Sequence, residues 1–270
     1  NSGDLYTPSA IGSDLNDGRT PITPKRTLTN LLSMYDLDPG DTVYIDTATN
    51  GHNYGVRVSP SDADGTVAAP ITFVGPTNGA VAAFVGSGTG DGVFLTNAVN
   101  VRIRAITLRS FSVGVRIMGI STNNAVIGST IRSNIDIGVA PWDVNVDRNR
   151  IVSNIIDGLG NQDYGVWIRS GGQNVVTNNR IFGHALSGVW FDGPASSNVI
   201  VGNTINSNLG YGVAFVDIAN DGNRIISNMF DGKNYQDMAV WGRDGDRNVI
   251  SNNTIRNHEV RGILFDQTAS

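Results

Sequence analysis

The stretch NVIVGNTINSNLGYGVAFVD, from Asn198 to Asp217, recurs in the same chain in nearly the same form. One copy begins 24 residues earlier as NVVTNNRIFGHALSGVWFD, and another begins 50 residues later as NVISNNTIRNHEVRGILFD. Near the end of each copy the apolar residues alternate, as Val213 and Phe215 do, and alternation is the period of a β-strand. Short strands joined by Asn/Gly turns and repeated at this spacing are typical of a solenoid, and they predict a parallel β-helix.

When the copies are aligned, two residue positions recur in most repeats. The first is a polar column, and its members are Ser129, Asn149, Asn179, Asn203, Asn228 and Asn253. The second follows most of them by nine residues and consists of Gly138, Gly188, Gly212 and Gly262, with Asp237 replacing Gly once. From Asn149 the matching Gly165 is 16 residues away, which predicts an insertion of about seven residues in that coil. Amides stacked at one turn can hydrogen-bond along the column, so we interpret this column as structural.

A helical pattern precedes the repeats in KRTLTNLLSMYDL. Thr27 is a possible N-cap of a helix near residues 27–36, whose apolar face would be formed by Leu28, Leu31, Leu32 and Tyr35. Such a helix would cover the open end of the solenoid, whose unpaired strand edge would otherwise invite aggregation.

These patterns predict a single domain over residues 1–270. Its N-terminal cap region would span 1–40 and its parallel β-helix 41–270. The sequence stops at GILFDQTAS in the middle of a repeat. We therefore expect that the chain continues there or that this uncapped end contacts another chain.

Composition limits the partners. The 270 residues are 16% charged and carry a formal net charge of −5, which argues against nucleic acid or an anionic membrane as the main partner. No stretch approaches the ~18 continuous apolar residues of a membrane span, so membrane insertion is not expected. The chain has no Cys, which excludes a disulfide framework and a thiolate metal site.

The opening from Ser13 to Asp46, SDLNDGRTPITPKRTLTNLL…PGDTVYID, resembles that of many right-handed parallel β-helix proteins. The later coils resemble the repeat of pectate lyases, polygalacturonases and alginate epimerases. The resemblance covers nearly the whole chain and implies a right-handed β-helix, all-β, with a short helical cap. It fixes no reaction, because this superfamily hosts many chemistries and some non-catalytic modules.

The catalytic motifs of those families are not intact here. Where alginate epimerases carry Asp-Pro-His-Glu, this chain has APWD, in which only Pro141 matches. The run NQDYG, Asn161 to Gly165, resembles one polygalacturonase motif loosely, without its Asp-Asp partner. Lyases of this fold use Lys or Arg as base; since only Lys25 and Lys233 are present, an Arg would have to serve.

All four Trp residues fall on two files that should face outward, two and four positions after the repeat Gly. We expect the first file to be Arg116, Ala140, Trp167, Trp190, Ala214, Ala239 and Leu264. We expect the second to be Met118, Trp142, Arg169, Asp192, Val216, Trp241 and Asp266. Exposed indoles are costly unless covered. Either a loop covers them, such as the insertion at 155–164, or they form a platform on which sugar rings stack.

The predicted substrate-binding residues are accordingly Trp142, Trp167, Trp190, Trp241, Arg243, Asp163 and Tyr164. Carboxylates provide the candidate catalytic groups: Asp192 with Asp217 for hydrolysis, or Asp136 with Asp163, while Arg169 is the candidate base for elimination. The alternative for each Asp is that it caps a turn. His184 and His258 share a column with Asn134 and Asn208, four residues before the repeat Gly, and we interpret them as turn residues.

No cofactor is predicted. Acids in a file could hold Ca²⁺, but no calcium-binding motif supports such a site. The sequence favours an extracellular or cell-surface protein that engages polysaccharide, with lyase or glycosidase activity left open. The alternative is a non-catalytic structural or adhesive module of a larger surface protein.

Overall fold

The computed structural model describes residues 4–59, 64–217, 219–243 and 246–266. The chain forms a right-handed parallel β-helix with one short helix among the described residues, as predicted. Each coil after the first contributes a strand to each of three parallel sheets, and the first contributes a strand to two of them. The coils therefore place equivalent residues of successive repeats side by side, at about the 4.8 Å spacing of paired strands.

The helix α1 spans Leu28–Met34. The strands of the described chain are β1 (Thr42–Tyr44), β2 (Val56–Val58), β3 (Ile71–Val74), β4 (Ala82–Val85), β5 (Asp91–Thr96), β6 (Val101–Arg104), β7 (Ile106–Arg109), β8 (Val113–Met118), β9 (Ala125–Ile127), β10 (Thr130–Arg132), β11 (Ile137–Pro141), β12 (Arg150–Val152), β13 (Ile155–Asp157), β14 (Tyr164–Ile168), β15 (Val175–Thr177), β16 (Arg180–Phe182), β17 (Ser187–Phe191), β18 (Val199–Val201), β19 (Thr204–Asn206), β20 (Tyr211–Phe215), β21 (Arg224–Ile226), β22 (Met229–Asp231), β23 (Met238–Gly242), β24 (Val249–Ser251), β25 (Thr254–Arg256) and β26 (Arg261–Phe265).

The three sheets are named here in the order in which a coil visits them. Sheet 1 has the order β1-β3-β6-β9-β12-β15-β18-β21-β24, sheet 2 has β4-β7-β10-β13-β16-β19-β22-β25, and sheet 3 has β2-β5-β8-β11-β14-β17-β20-β23-β26. The strands of sheet 3 are mostly five or six residues long, whereas those of sheet 1 are mostly three. Sheet 3 therefore offers the widest outer face.

The core is a stack of identical positions. One inward position of sheet 3 is occupied by Val93, Val115, Val139, Val166, Val189, Val213 and Val240 in successive strands. All of these are buried, and burying one such side chain contributes roughly 1.5–3 kcal/mol. Phe191 and Phe215 stack at the next inward position, with ring centroids 4.7 Å apart.

The helix α1 covers the N-terminal end of this core. The Thr27 side chain accepts a hydrogen bond from the Asn30 N–H, which confirms Thr27 as the N-cap. Leu28 and Leu32 are buried, and Leu28 borders the core together with Phe73. At the C-terminal end, the sequence predicts a terminus without a cap. Residues 267–270 of that segment lie outside the described part of the chain.

Two ladders of buried amides run inside the turns. Ladder 1 is Asn124, Asn149, Asn174, Asn198, Asn223 and Asn248; ladder 2 is Ser129, Asn154, Asn179, Asn203, Asn228 and Asn253. In ladder 2 the Asn203 Oδ1 accepts the Asn179 N–H at 2.8 Å, and the Asn203 Nδ2 donates to the Val176 carbonyl at 2.9 Å. The side chains thus pair main-chain groups that a turn leaves without partners, and the structural interpretation of the column is confirmed.

The sequence alignment was wrong at one member of this column. Asn149 belongs to ladder 1, and Asn154 takes the place in ladder 2 that we expected Asn149 to fill. Asn154 is followed by Gly165 after 11 residues rather than nine. The coil therefore carries two extra residues before sheet 3, and the predicted insertion of about seven does not exist.

The residue before each ladder amide adopts the left-handed backbone conformation. Examples are Ser153 (φ 55°), Asn178 (φ 56°) and Ser227 (φ 55°), and Gly202 does so before Asn203 (φ 67°). Asn and Gly tolerate this region best, and Asn is several-fold enriched there among non-glycine residues. The recurring Ser-Asn, Asn-Asn and Gly-Asn pairs thus combine a sharp turn with an inward amide.

A third ladder precedes sheet 3 and consists of Asn134, Gln162, His184, Asn208, Gln236 and His258. The His184 Nδ1 lies 2.7 Å from the Asn208 Oδ1, so the expectation that both histidines are turn residues agrees with the structure. Gln236 marks a second coil with two extra residues. As a result, the residue beside Gly212 in the position of the repeat Gly is Ala239. We expected Asp237 there.

Candidate aromatic site on sheet 3

The outward positions of sheet 3 carry all four Trp side chains, each of which is half-buried. The first outer file, two positions after the repeat Gly, is Arg116, Ala140, Trp167, Trp190, Ala214, Trp241 and Leu264. The second outer file, two residues further, is Met118, Trp142, Arg169, Asp192, Val216, Arg243 and Asp266. The expectation that the four Trp fall on these files is confirmed.

Two positions in the files differ from those expected. Trp241 lies in the first file beside Ala214, not in the second file, and Arg243 occupies the second file in its place. Ala239, expected to face outward, is fully buried. Both differences follow from the two extra residues that precede β23.

A first aromatic cluster is formed by Trp142, Tyr164, Trp167 and Trp190. Trp167 and Trp190 are direct partners in β14 and β17. The centroid of the Trp167 ring lies 5.0 Å from that of Trp142 and 4.8 Å from that of Tyr164, which in turn lies 5.2 Å from Trp190. Tilted contacts at these distances are favourable for aromatic pairs, so the rings form one continuous surface.

Two arginines border this cluster at Trp142. The guanidinium of Arg116 lies 5.1 Å from the Trp142 ring centroid, and that of Arg169 lies 4.9 Å from it. Arg116 is also bound to the Asp91 carboxylate at 3.0 Å. Beside Trp142 and Arg169 is an open depression of about 440 Å³, which Ser170 and Asp143 also line.

A second aromatic cluster consists of Tyr211 and Trp241. Their rings stack with centroids 5.0 Å apart and planes inclined by 15°. The Trp241 Nε1 donates to an Asp266 carboxylate oxygen at 3.1 Å. Arg243 is exposed in the neighbouring file. Four strand steps separate Trp142 from Trp241, about 19 Å at the spacing of paired strands.

The aromatic rings are not covered by a long loop at residues 155–164, which was the alternative to a sugar platform. Residues 155–157 form β13 and Tyr164 begins β14, so the segment between them is a short turn and not a long insertion. All four Trp side chains and both Tyr side chains of the clusters are half-buried. They shield Ala140 and Ala214, which are fully buried in the first outer file.

The acids predicted to act in catalysis lie in two places. Asp192 follows Arg169 in the second outer file, whereas Asp217 lies one residue past that file. The Asp217 carboxylate accepts the Ala219 N–H at 3.2 Å, the arrangement of an acid that caps a turn. Asp163 lies beside Asp136 in the turn before sheet 3. Burial raises the pKa of Asp163, and the neighbouring carboxylate of Asp136 raises it further.

Tyr164 connects the acids to the first cluster. Burial raises the pKa of its phenol, and the charges of Asp163 and Asp192 add to the effect. The Trp167 Nε1 is buried with no hydrogen-bond partner in the described residues. The first cluster thus places apolar ring faces next to an unpaired indole donor and to Asp163, whose pKa is raised.

Two members of the site were missed in the sequence. Tyr211 was not selected, although it directly precedes a repeat Gly as Tyr164 does, and this Tyr-Gly pair was a usable signal. Asp143 was noted only as a departure from a catalytic motif. Its carboxylate accepts the Gly119 N–H at 2.7 Å and fixes the wall of the depression.

The described residues provide no group of three or more His, Cys, Asp or Glu placed to hold a metal ion. The helix α1 is too short to cross a bilayer, and no other helix of the described chain could do so.

Three solved structures with the same fold are described as enzymes of polysaccharides. The chain is similar to the periplasmic alginate epimerase AlgG, with a TM-score of 0.57 and 14% identity over 85% of this chain and 61% of that chain. It is similar to pectate lyase Pel9A, with a TM-score of 0.61 and 14% identity over 92% and 77% of the two chains. It is also similar to a mannuronic acid specific polysaccharide family 6 lyase from human gut microbiota. The TM-score is 0.59 and the identity 14%, over 88% of this chain and 63% of that chain. The chain spans about six tenths of the epimerase, and at this identity the likeness shows the fold alone.

No curated protein matches the sequence. A family model does match it, over residues 39–240, about three quarters of the chain, and thus over most of the coils, the whole first aromatic cluster and Tyr211 of the second. That family is described as periplasmic copper-binding protein (NosD). The chain therefore belongs to the NosD family of parallel β-helix proteins.

Proposed function

We propose that this protein binds polysaccharide along the outer face of sheet 3. The observation that carries the proposal is the pair of aromatic clusters, in which six half-buried rings lie on one face of one sheet. Indole and phenol rings offer apolar faces for the C–H faces of pyranose rings, and the adjacent polar groups can bond sugar hydroxyls.

The arrangement suits a long ligand. The rings follow the axis of the solenoid, and their span of about 19 Å from Trp142 to Trp241 exceeds one sugar ring several-fold. A chain of sugars running across the strands would contact both clusters at once. Polysaccharide-acting structural neighbours of the same fold support this class of ligand, while the ligand of this chain is our proposal.

Cleavage of the bound chain is the second candidate function, and one observation favours a particular acid. Asp163, whose pKa is raised by burial and by the charge of the neighbouring Asp136, lies next to Tyr164 of the first cluster. A carboxyl that keeps its proton closer to neutral pH can act as a general acid. Asp163 is therefore a stronger candidate for a catalytic acid than Asp217, whose carboxylate caps a turn. Arg169 stays a candidate base for elimination.

The description of the family names copper, and the set of imidazole and thiolate donors in this chain does not fit it. Copper sites use imidazole, thiolate and thioether groups. The chain has no Cys and three His. The His184 Nδ1 is engaged by Asn208, and the His52 Nε2 lies 3.0 Å from the Asp46 carbonyl oxygen. His184 and His258 are three coils apart, about 14 Å. We assign no copper site to the described residues.

A location outside the cytoplasm is part of the proposal. The family and the alginate epimerase are both described as periplasmic, which supports a non-cytoplasmic site of action. An extracellular or cell-surface location, as expected from the sequence, would place the aromatic face in contact with cell-wall or matrix polysaccharide. Fractionation of the native host would test the location directly.

The binding proposal is tested by tryptophan fluorescence titrated with a panel of oligosaccharides, and by iodide quenching of the free protein. We expect iodide to quench the indoles and a bound oligosaccharide to protect them. Trp167→Ala should weaken binding by about 1–3 kcal/mol, on the scale of aromatic stacking on nucleic-acid bases.

The matched control is Phe182→Ala. Phe182 is a half-buried outward ring on sheet 2 with the Arg180 guanidinium 4.2 Å from its centroid, so it resembles Trp142 without belonging to sheet 3. Affinity should be unchanged in this variant. Indoles that iodide cannot reach, or equal losses in both variants, would refute binding on this face.

A further inference from the structure

We infer that the depression beside Trp142 is a subsite for an anionic substituent of a sugar, a carboxylate or a sulfate ester, held by the guanidinium of Arg169. This inference rests on the proposed function, because it specifies which sugars the first aromatic cluster would select. The depression has a volume of about 440 Å³ and opens to solvent next to the ring of Trp142.

Arg169 is held in place and still has free donors. Its guanidinium lies 4.9 Å from the Trp142 ring centroid, and it forms no ion pair with a carboxylate of the described residues. A guanidinium that stacks on an indole keeps its N–H groups at its edge, where their forked geometry matches the two oxygens of a carboxylate or sulfate. The indole thus orients the cation without satisfying its hydrogen-bond donors.

Arg116 differs from Arg169 on the same ring. It lies 5.1 Å from the Trp142 ring centroid, but its Nε is already bound to both Asp91 carboxylate oxygens at 3.0 Å. Arg116 therefore supports the indole, while Arg169 on the open side lines the depression. Of the two cations at this ring, Arg169 is the one available to a ligand.

The acids near the depression form no ion pair with Arg169 among the described residues. The Asp143 carboxylate accepts the Gly119 N–H at 2.7 Å and so belongs to the wall. Asp192 is the next residue of the second outer file, yet no Arg169–Asp192 ion pair forms. Since the net charge of the chain is −5, its overall field repels anions. Any preference for an anionic sugar must come from local groups at this ring.

The second aromatic cluster provides an internal contrast. Tyr211 and Trp241 stack on each other, and no guanidinium lies over either ring in the described part of the chain. The Trp241 Nε1 is bound to Asp266, which is an acid. We therefore expect this cluster to stack on sugars without favouring negative charge.

The test measures affinity by calorimetry for three oligosaccharides of equal length: a neutral glucan, an oligouronate and a sulfated glucan. In the natural protein the anionic chains should bind more tightly than the neutral one. Arg169→Gln should weaken the anionic chains roughly 10- to 100-fold, the range of a hydrogen bond to a charged group, and change the neutral chain less than about threefold. Arg180→Gln, which removes a guanidinium stacked on Phe182 of sheet 2, should change none of them.

Each outcome decides one point. A loss confined to the oligouronate identifies a carboxylate subsite, and one confined to the sulfated glucan identifies a sulfate subsite. Equal losses for all three chains, or the same losses in Arg180→Gln, would overturn the inference. If the neutral chain binds and requires Trp167, but Arg169→Gln changes nothing, the subsite is wrong and the proposed function stands. If no chain binds at all, both fail together.

Discussion

Asn203 and Trp190 lie in neighbouring coils of the solenoid. One position is buried and keeps its residue type from coil to coil, and the other is half-buried and varies. The amide of Asn203 is 1% exposed and repeats as Asn in four other coils of its ladder, while Trp190 is half-buried in a file that also holds Arg, Ala and Leu. The ladder position has one task, to pair main-chain groups of adjacent turns. The outer file has no such task and is free to vary. In this solenoid, stability and recognition occupy different positions of one repeat.

The largest effect that would test this comparison is expected at Asn203. Asn203→Ala removes the acceptor of the Asn179 N–H and the donors to the Val176 carbonyl and the Asn228 Oδ1. Each buried group left unpaired costs about 1–3 kcal/mol, so the free energy of unfolding should fall by at least that amount. Denaturant unfolding measures it, and oligosaccharide affinity should not change.

Asn206→Ala is the matched control for this variant. Asn206 lies three residues further along in β19, where it is half-buried and faces outward on sheet 2. Its replacement should change stability by less than about 0.5 kcal/mol, the usual range for a surface position. Equal stability losses in the two variants would show that the ladder amides are no more important than any other Asn.

A pH-dependent effect is expected at His184. Burial lowers the pKa of this imidazole to about 4, since the charged form would lose its hydration. The unfolded chain binds the proton near pH 6.5. Stability is therefore complete above pH 6.5 and is lost as the pH falls from 6.5 towards 4, by an amount on the order of 3 kcal/mol.

His184→Asn is the variant that tests this expectation, because Asn134 and Asn208 occupy the same ladder. The variant should unfold with much less dependence on pH between 6.5 and 4. His258 contributes with the same sign and less strongly, since burial lowers its pKa too but it is only partly covered. An unchanged pH profile in His184→Asn would mean that the imidazole is solvated in solution.

The smallest effect on stability is expected at Trp190. Its ring centroid lies 5.2 Å from that of Tyr164, and the side chain is half-buried on the outer face of sheet 3. Trp190→Ala should lower the free energy of unfolding by about 1 kcal/mol, less than Asn203→Ala, because it removes one aromatic contact but leaves no buried polar group unpaired. A thermal melt of this variant beside Asn203→Ala measures the difference. If Trp190→Ala lowered the free energy of unfolding as much as Asn203→Ala does, stability and recognition would not be assigned to different positions.

The sequence was sufficient for the architecture. The alternation of Val213 and Phe215 and the repeated Gly positions predicted the strands of sheet 3, and Thr27 was correctly identified as the helix cap. Alternation reports which side of a strand a residue occupies, so the outward position of the tryptophans also followed. These features depend on residues close in sequence.

Register was harder to predict, for a physical reason. Each coil carries two inward Asn residues five positions apart, so Asn149 and Asn154 offered equally good alignments. Gln162 and Gln236 lie in the two coils that have two extra residues before sheet 3. Their longer side chains still reach the third ladder, so the pattern of Asn and His residues does not reveal the extra length. The ring contacts at Trp142 could not be predicted, because they join residues of different coils whose side-chain directions the pattern does not give.

The left-handed residue before each ladder amide makes one coil interchangeable with another. Arg148 and Gln173 have φ values of 57° and 58°, and each is followed by a ladder Asn. Joining Arg148 directly to Asn174 would therefore create a turn with the same local geometry while removing 25 residues, one complete coil. Gene duplication and deletion can change the length of such a protein in whole coils. The number of rings on the outer face can then evolve without redesign of the interior.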